Sequence, residues 1–200
     1  VIGILMFTLY PMVSSLVYSF TRTYTTVQGV GEWVGFENYS MIFNEFWPEI
    51  GRSLGITFLF TVISLPLTLV LSFALALLLT KDIKGIKAFR VIYYLPVMIP
   101  TVVSGILWSM LANGTDMSAF NVILNACGIP SFPFYDSGDT AMFTFIVMGL
   151  FTIGSSMILW IAQIKSIPVT LYEVADLEGA SALVKLIKIT IPMCTPIIFY

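Results

Sequence analysis

Five long apolar runs separated by polar stretches set the pattern of this chain. The first runs from Val1 to Phe20 and is interrupted by Pro11. The second covers approximately Ile56 to Leu79, the third Val91 to Leu111, the fourth Thr140 to Ile164, and a fifth begins near Ile189. At about 1.5 Å of rise per residue, runs of this length as helices cross about 30 Å of hydrocarbon. Between them lie a polar loop from Thr21 to Arg52, a basic connector from Lys81 to Arg90, and a Gly- and Pro-containing loop from Ala112 to Asp139. The pattern predicts an all-α, polytopic helical membrane protein with about five transmembrane spans.

Composition points the same way. Of 200 residues, 58% are hydrophobic and 10% charged, with a mean hydropathy of +0.97. A soluble domain carries about a quarter charged residues. A net charge of −2 gives no basis for binding nucleic acid. The absent initiator Met and the apolar run ending at Tyr200 predict a single transmembrane domain over 1–200, truncated at both ends. The first run has no basic leader and no small-residue cleavage site, so it does not read as a removed signal peptide.

Charge placement orients the chain. Lys81, Lys84, Lys87 and Arg90 fall on one side, and parity adds Lys165, Lys185 and Lys188, against Arg22 and Arg52 on the other. Seven against two is a positive-inside bias that puts the stretch 165–190 in the cytoplasm. Cys127 then falls in an outer loop and Cys194 near the inner end of the fifth run, an arrangement unsuited to a disulfide. No Asp, Glu, Lys or Arg lies near the centre of a run, whereas ion-coupled transporters use such groups within the membrane. No G-x-x-x-x-G-K-[ST] phosphate loop is present either. With no His in the chain, no metal site is expected.

Two stripes of small polar residues lie within the runs. Thr57, Thr61, Ser64, Thr68 and Ser72 recur at spacings of three and four, with Pro66 among them expected to kink the helix. Thr144, Met148, Thr152 and Ser155 form a second stripe beside Gly154 and Ser156. Either stripe serves close helix packing or walls a substrate pathway. Trp108 reads as an interfacial anchor, or as an aromatic face for a sugar ring. Asn38-Tyr-Ser40 and Asn113-Gly-Thr115 match the glycosylation sequon, a short pattern that often occurs by chance.

The stretch from Tyr172 to Pro192 is the long polar–apolar mixture of the chain. After Pro168 it predicts a short helix over Val169 to Leu177, bearing Glu173, Asp176 and Glu178, then a turn at Gly179, where the left-handed conformation carries no Cβ penalty. Ala180, Leu183, Leu186, Ile187 and Ile189 follow at helical spacing, with Lys185 and Lys188 exposed among them. Two short helices hinged at a glycine on a membrane face predict a docking element, against the plainer reading of an amphipathic loop.

Here the chain resembles the coupling loop (EAA motif) of binding-protein-dependent ABC importer permeases. The match runs through Glu173-Val-Ala175, Gly179-Ala180, Ile189 and Pro192, with Val174, Glu178, Leu186 and Ile191 replacing that pattern's Ala, Asp, Phe and Leu. Trp33-Val-Gly35-Phe-Glu-Asn38-Tyr39, Phe89-Arg90, Tyr94-Leu95-Pro96, Asn121 to Pro130, and Ser166-Ile167-Pro168 are similar to further signatures of the carbohydrate-type permeases. Leu150 and Val97 stand where that family often carries Trp, which leaves the substrate class open.

The resemblance implies an ABC importer permease fold, with Glu173, Ala175, Glu178, Gly179 and Ala180 contacting an ATPase. It implies no enzymatic activity and no cofactor on this chain, ATP and Mg being held by the partner. It implies a second permease subunit, two ATPase subunits and an extracytoplasmic solute-binding protein, in a bacterial inner membrane. The expected cargo is a sugar or oligosaccharide moved by alternating access. Alternatives are a permease for glycerophosphodiesters or polyamines, an ion-coupled secondary transporter, and an integral membrane enzyme. The missing His and intramembrane charges weigh against the last two.

Overall fold

The computed structural model describes residues 2–22, 24–25, 29–81 and 84–198. Val1 of the first run, Asp82 and Ile83 of the basic connector, and Phe199 and Tyr200 of the fifth run lie outside the described residues, as do Thr23 and residues 26–28. The chain divides into two compact units, Val1–Leu59 and Phe60–Tyr200.

In the first unit, helix α1 spans Ile2–Ser19 and passes through Pro11. The proline widens the helix instead of ending it. Leu5–Leu9 form a π-helical turn in which the Tyr10 N–H reaches back to the Leu5 carbonyl, just ahead of the missing Pro11 donor. Strands β1 (Tyr24–Thr25) and β2 (Gly29–Val30) pair antiparallel in the following loop. Helix α2 covers Glu37–Asn44, and helix α3 (Trp47–Leu79) begins within this unit. The stretch Thr21 to Arg52 is therefore largely structured, a correction to the polar-loop expectation. Pro48 and Glu49 in the first turn of α3 explain its early start, because a missing N–H and a carboxylate both suit a helix N-terminus.

A clasp closes this unit. Asn38 Nδ2 donates to the Ser19 and Thr21 carbonyls, both at 2.8 Å, and the hydroxyls of Tyr39 and Ser19 meet at 2.7 Å. Phe20 stacks on Trp33 (5.4 Å between ring centroids) and meets Phe36 edge-on (5.2 Å). Arg22 makes a two-pronged bond to Glu37, with Glu32 nearby, and these carboxylates hold its guanidinium above the usual range.

In the second unit α3 continues unbroken through Pro66 to Leu79. Arg90 donates through Nε (3.1 Å) and Nη2 to the Leu79 carbonyl and so caps the end of α3. Helix α4 (Ile86–Tyr94) passes through a 3-10 segment, Leu95–Met98, and is bent by 95° from helix α5 (Thr101–Leu111). Ile99, preceding Pro100, is extended (φ −75°, ψ 125°), as the proline ring demands of its neighbour. Helix α6 (Ala119–Ala126) occupies the second loop. Helices α7 (Gly138–Phe151) and α8 (Gly154–Ser166) make the fourth run, bent by 48° at Thr152–Ile153. At that bend the Tyr93 carbonyl approaches Gly154 so closely that any Cβ there would overlap it.

Helix α9 spans Val169–Leu177. Helix α10 covers 182–193, with a π-helical turn at Leu186–Thr190 ahead of Pro192, the same device as in α1. Thr195–Ile198 forms helix α11. Among the described residues two helices are long and apolar enough to cross a membrane, or up to four if each bent pair is one span. The expected fifth is represented by helical turns over 182–198, too short to pass that test.

The buried core gathers Ala76 and Leu79 of α3, Met157, Trp160 and Ile161 of α8, Ile167 and Cys194, with Ile86, Tyr172 and Ile189 against it. This cluster brings the ends of α3 and α8 and the start of α4 to one end, together with α9 and α10. Ile86 of the basic connector and Ile167, Tyr172 and Ile189 of the stretch 165–190 thus meet at one cluster. Cys127 and Cys194 are both free.

Candidate functional site

The elbow between α9 and α10 is built by its backbone. The Gly179 N–H donates to the Asp176 carbonyl (3.0 Å) and the Ala180 N–H to the Ala175 carbonyl (2.8 Å), a Schellman closure with Gly179 at φ +71°. Ser181 then caps α10, its Oγ accepting from the Val184 N–H. Lys185 folds back to form an ion pair with Asp176 across the elbow, so it is half-buried and not exposed as the periodicity suggested. The Tyr172 hydroxyl meets Thr190 Oγ1 at 2.8 Å, and Thr190 is buried within the π-helical turn that Pro192 imposes. These bonds fix the angle between the arms.

What the elbow presents is a mixed surface. Glu173, Glu178 and Gly179 are exposed, Ala180 is half-buried, and Ala175 is buried beneath them. Leu177 stands 89% exposed, with Val174, Leu183 and Ile187 also uncovered. A Cβ at Gly179 would meet nothing within 4 Å. Acidic side chains around projecting apolar ones, on a hydrogen-bonded frame, suit a protein partner more than lipid.

The two polar stripes behave differently. On α3, Thr57 and Thr61 are exposed, Ser64 and Thr68 half-buried, and Ser72 fully buried. Thr57 Oγ1 donates to the Ser53 carbonyl (2.9 Å), and Ser72 Oγ accepts from the Trp160 indole N–H (2.9 Å). Toward Ser72 the stripe serves packing. The second stripe is split by the bend between α7 and α8. Thr144 is buried and bonded to the Thr140 carbonyl (3.0 Å), and Met148 sulfur accepts from the Tyr135 hydroxyl (3.8 Å). Thr152 and Ser155 are exposed beyond it, bonded to the carbonyls of Gly149 and Thr152.

Trp108 overturns both of its expected roles. It is 8% exposed and packs edge-on against Phe120 and Phe151, at 5.8 and 5.6 Å between centroids, as a core aromatic. Sequence reasoning also passed over Asn121, the hub of the second loop. It is fully buried, donating to the Thr115 and Phe132 carbonyls (3.0 Å each) and accepting from the Phe132 N–H (2.7 Å). Two Asn four residues apart, Asn121 and Asn125, on an otherwise apolar helix were the available signal. The two sequons prove structural: Asn38 is the clasp, and Asn113 Oδ1 accepts from the Thr115 N–H in a local turn. Among the described residues no cluster of three metal-binding side chains occurs, and no buried side-chain nitrogen or oxygen lacks a partner.

No protein-family model matches the chain. Over its whole length it is 33% identical to a probable ABC transporter permease protein, YesP, of Bacillus subtilis. It is 28% identical to the arabinooligosaccharides transport system permease protein AraP of the same organism. The chain spans 64% and 63% of those two relatives. In structure it matches a bacterial ABC transporter involved in the import of the acidic polysaccharide alginate (TM-score 0.75, 25% identity), covering 98% of this chain and 65% of that one. It also matches the fold of an alginate ABC transporter in complex with a pentasaccharide-bound periplasmic protein (TM-score 0.74, 24% identity), covering 98% of this chain and 65% of that one.

Proposed function

From a chain homologous to sugar ABC transporter permeases, we propose a membrane-embedded permease subunit of an ATP-driven importer of oligosaccharides. The observation that carries the mechanism is the elbow: a rigid, hydrogen-bonded pair of short helices at the basic end of the bundle, presenting Glu173, Glu178, Gly179 and Ala180 around Leu177. Ala175 supports this surface from below. A cytoplasmic ATPase binding there, with ATP and Mg on that partner, would bias the bundle between inward- and outward-facing states. In this reading the nucleotide acts through a partner, which fits the lack of a phosphate loop within residues 1–200.

The same reading assigns two ATPase subunits, a second permease subunit, and an extracytoplasmic solute-binding protein at the outer loops, in a bacterial cytoplasmic membrane. The binding protein is supported by the alginate transporter complex, whose periplasmic protein carries a pentasaccharide. Pathway roles are proposed for the exposed or half-buried Thr57, Thr61, Ser64, Thr68, Met148, Thr152 and Ser155. Buried Thr144 supports them.

The test is uptake of labelled oligosaccharide by proteoliposomes holding the complete transporter and its binding protein. Uptake that requires ATP and persists when ion gradients are collapsed is expected. Uptake driven by a proton or sodium gradient without ATP would overturn the proposal. ATP-driven uptake of a polyamine or glycerophosphodiester, with none of any sugar, would keep the importer and refute the cargo.

A further inference from the structure

The second outer loop contains a feature that solute transport leaves unused. Helix α6 has two unlike faces. Asn121 and Asn125 lie four residues apart on one face, and Asn125 bonds to Ser131, which also donates to Asp116. On the opposite side Ile123 is 60% exposed, and Met117 and Ile129 flank it at 87% and 50%. Beneath them opens an apolar cavity of about 410 Å³, walled by Phe120, Ile123, Leu124, Phe132, Phe134 and Phe143. Phe134 holds a left-handed backbone (φ 41°) at this wall, a strained conformation for a side chain of its size.

This cavity matches hydrocarbon better than the hydroxyls of a sugar. Its lining offers no hydroxyl, amide or charge to pair with a polyol, and burying unpaired hydroxyls in it would be unfavourable. Hydrocarbon suits it. Its surroundings are continuous with membrane-crossing surface. Phe143 belongs to α7, and the loop leaves from the end of α5, where Ile106 and Met110 are 56% and 65% exposed. The charged side chains of the loop are Asp116, Asp136 and Asp139, with no Lys or Arg among residues 112–139. Asp116 belongs to the polar cluster with Ser131 and Asn125, and Asp136 accepts from the Gly114 N–H. An amphipathic helix tethered at both ends to spans lies in the plane of the interface with its apolar face in the acyl region.

We infer that α6 and its aromatic cavity are a lipid site, in which the apolar face lies in the outer leaflet and the cavity takes a phospholipid acyl chain. The inference rests on the membrane-spanning reading of the helices but not on the cargo. The test uses the complete transporter in phospholipid bilayers, with nitroxide labels at Ile123→Cys and Asn125→Cys in a Cys127→Ser background. Cys194 is buried and escapes labelling. Oxygen partitions into bilayers and a nickel chelate stays in water. The oxygen-to-nickel accessibility ratio should be several-fold higher at 123 than at 125.

A chelate-accessible label at 123 overturns the inference, and so does shielding from both reagents, which would mean a protein cover. Ile129→Cys, at the wall of the same cavity, provides a second reading if the first variant assembles poorly. Carbonate-resistant membrane association of the same samples separates failure of this inference from failure of the membrane reading.

Discussion

Gly179 allows backbone strain to be separated from surface shape. Its φ of +71° lies in the left-handed region, and the bonds from Gly179 and Ala180 to Asp176 and Ala175 depend on it. Gly179→Ala therefore costs about 1–2 kcal/mol of folding free energy, and Gly179→Asn less, because Asn tolerates this conformation. No clash adds to this within the chain, since the new Cβ meets nothing within 4 Å. At about 2–4 °C per kcal/mol, the Ala variant melts about 2–8 °C below wild type, and Asn closer to it. If the open space above Gly179 is filled by an ATPase, both variants lose transport far beyond what that strain explains. The assay is ATP-driven uptake in proteoliposomes, with pull-down of the ATPase and a melting curve on each sample. Expected are melting no lower than that strain explains, weakened ATPase retention and a more than tenfold fall in uptake, equivalent to about 1.4 kcal/mol of lost coupling or more. Wild-type uptake in Gly179→Asn would refute the reasoning, because the surface over Gly179 would then be free of any partner.

Other expected outcomes follow from the buried polar bonds. Asn121→Leu leaves the Phe132 N–H and two carbonyls unpaired, so the second outer loop should lose about 2–4 kcal/mol and become protease-sensitive, while exposed Asn125→Ala stays within about 0.5 kcal/mol of wild type. Ser72→Ala strands the Trp160 indole N–H in the core at a cost of about 1–3 kcal/mol, readable as a lower melting temperature in detergent. Burial raises the Tyr135 phenol above its ordinary value of 10.0. Its stabilising contribution is then complete below pH 10.0 and lost as pH rises through the higher folded-state value. The difference between the ultraviolet titrations of wild type and Tyr135→Phe should place the ionisation of Tyr135 above pH 10.0.

The sequence disclosed what depends on local chemistry. Helix α9 and the Gly179 turn were legible because helical spacing, Pro168 and a glycine act within a few residues. The 95° break before α5 falls inside the expected third run, Val91 to Leu111, and was missed although Pro96 and Pro100 flank it. The break between α7 and α8 has no proline, and only Gly154 beside its serines hinted at it. Contacts at long range were hidden. Asn38 and Asn121 bind main-chain carbonyls 6 to 19 residues away, and nothing local distinguishes Asn38 from a glycosylation site, while Asn121 is marked only by its apolar helix. Trp108 looked like an interfacial anchor because its partners, Phe120 and Phe151, lie 12 and 43 residues further along. The widened turns before Pro11 and Pro192 were missed because proline is ordinarily read as a helix stop.

The contact between Gly154 and the Tyr93 carbonyl bears on how such a chain can diversify. Where two backbones touch, no side chain offers a compromise, and the position admits hydrogen alone. In a library of single substitutions sorted only for membrane expression, Gly154 should stay invariant. Gly105 and Gly149, whose added Cβ would meet nothing within 4 Å, should drift freely to alanine. Invariance at position 154 would thus record a distance between two main chains, and would persist across permeases whose cargoes have nothing in common.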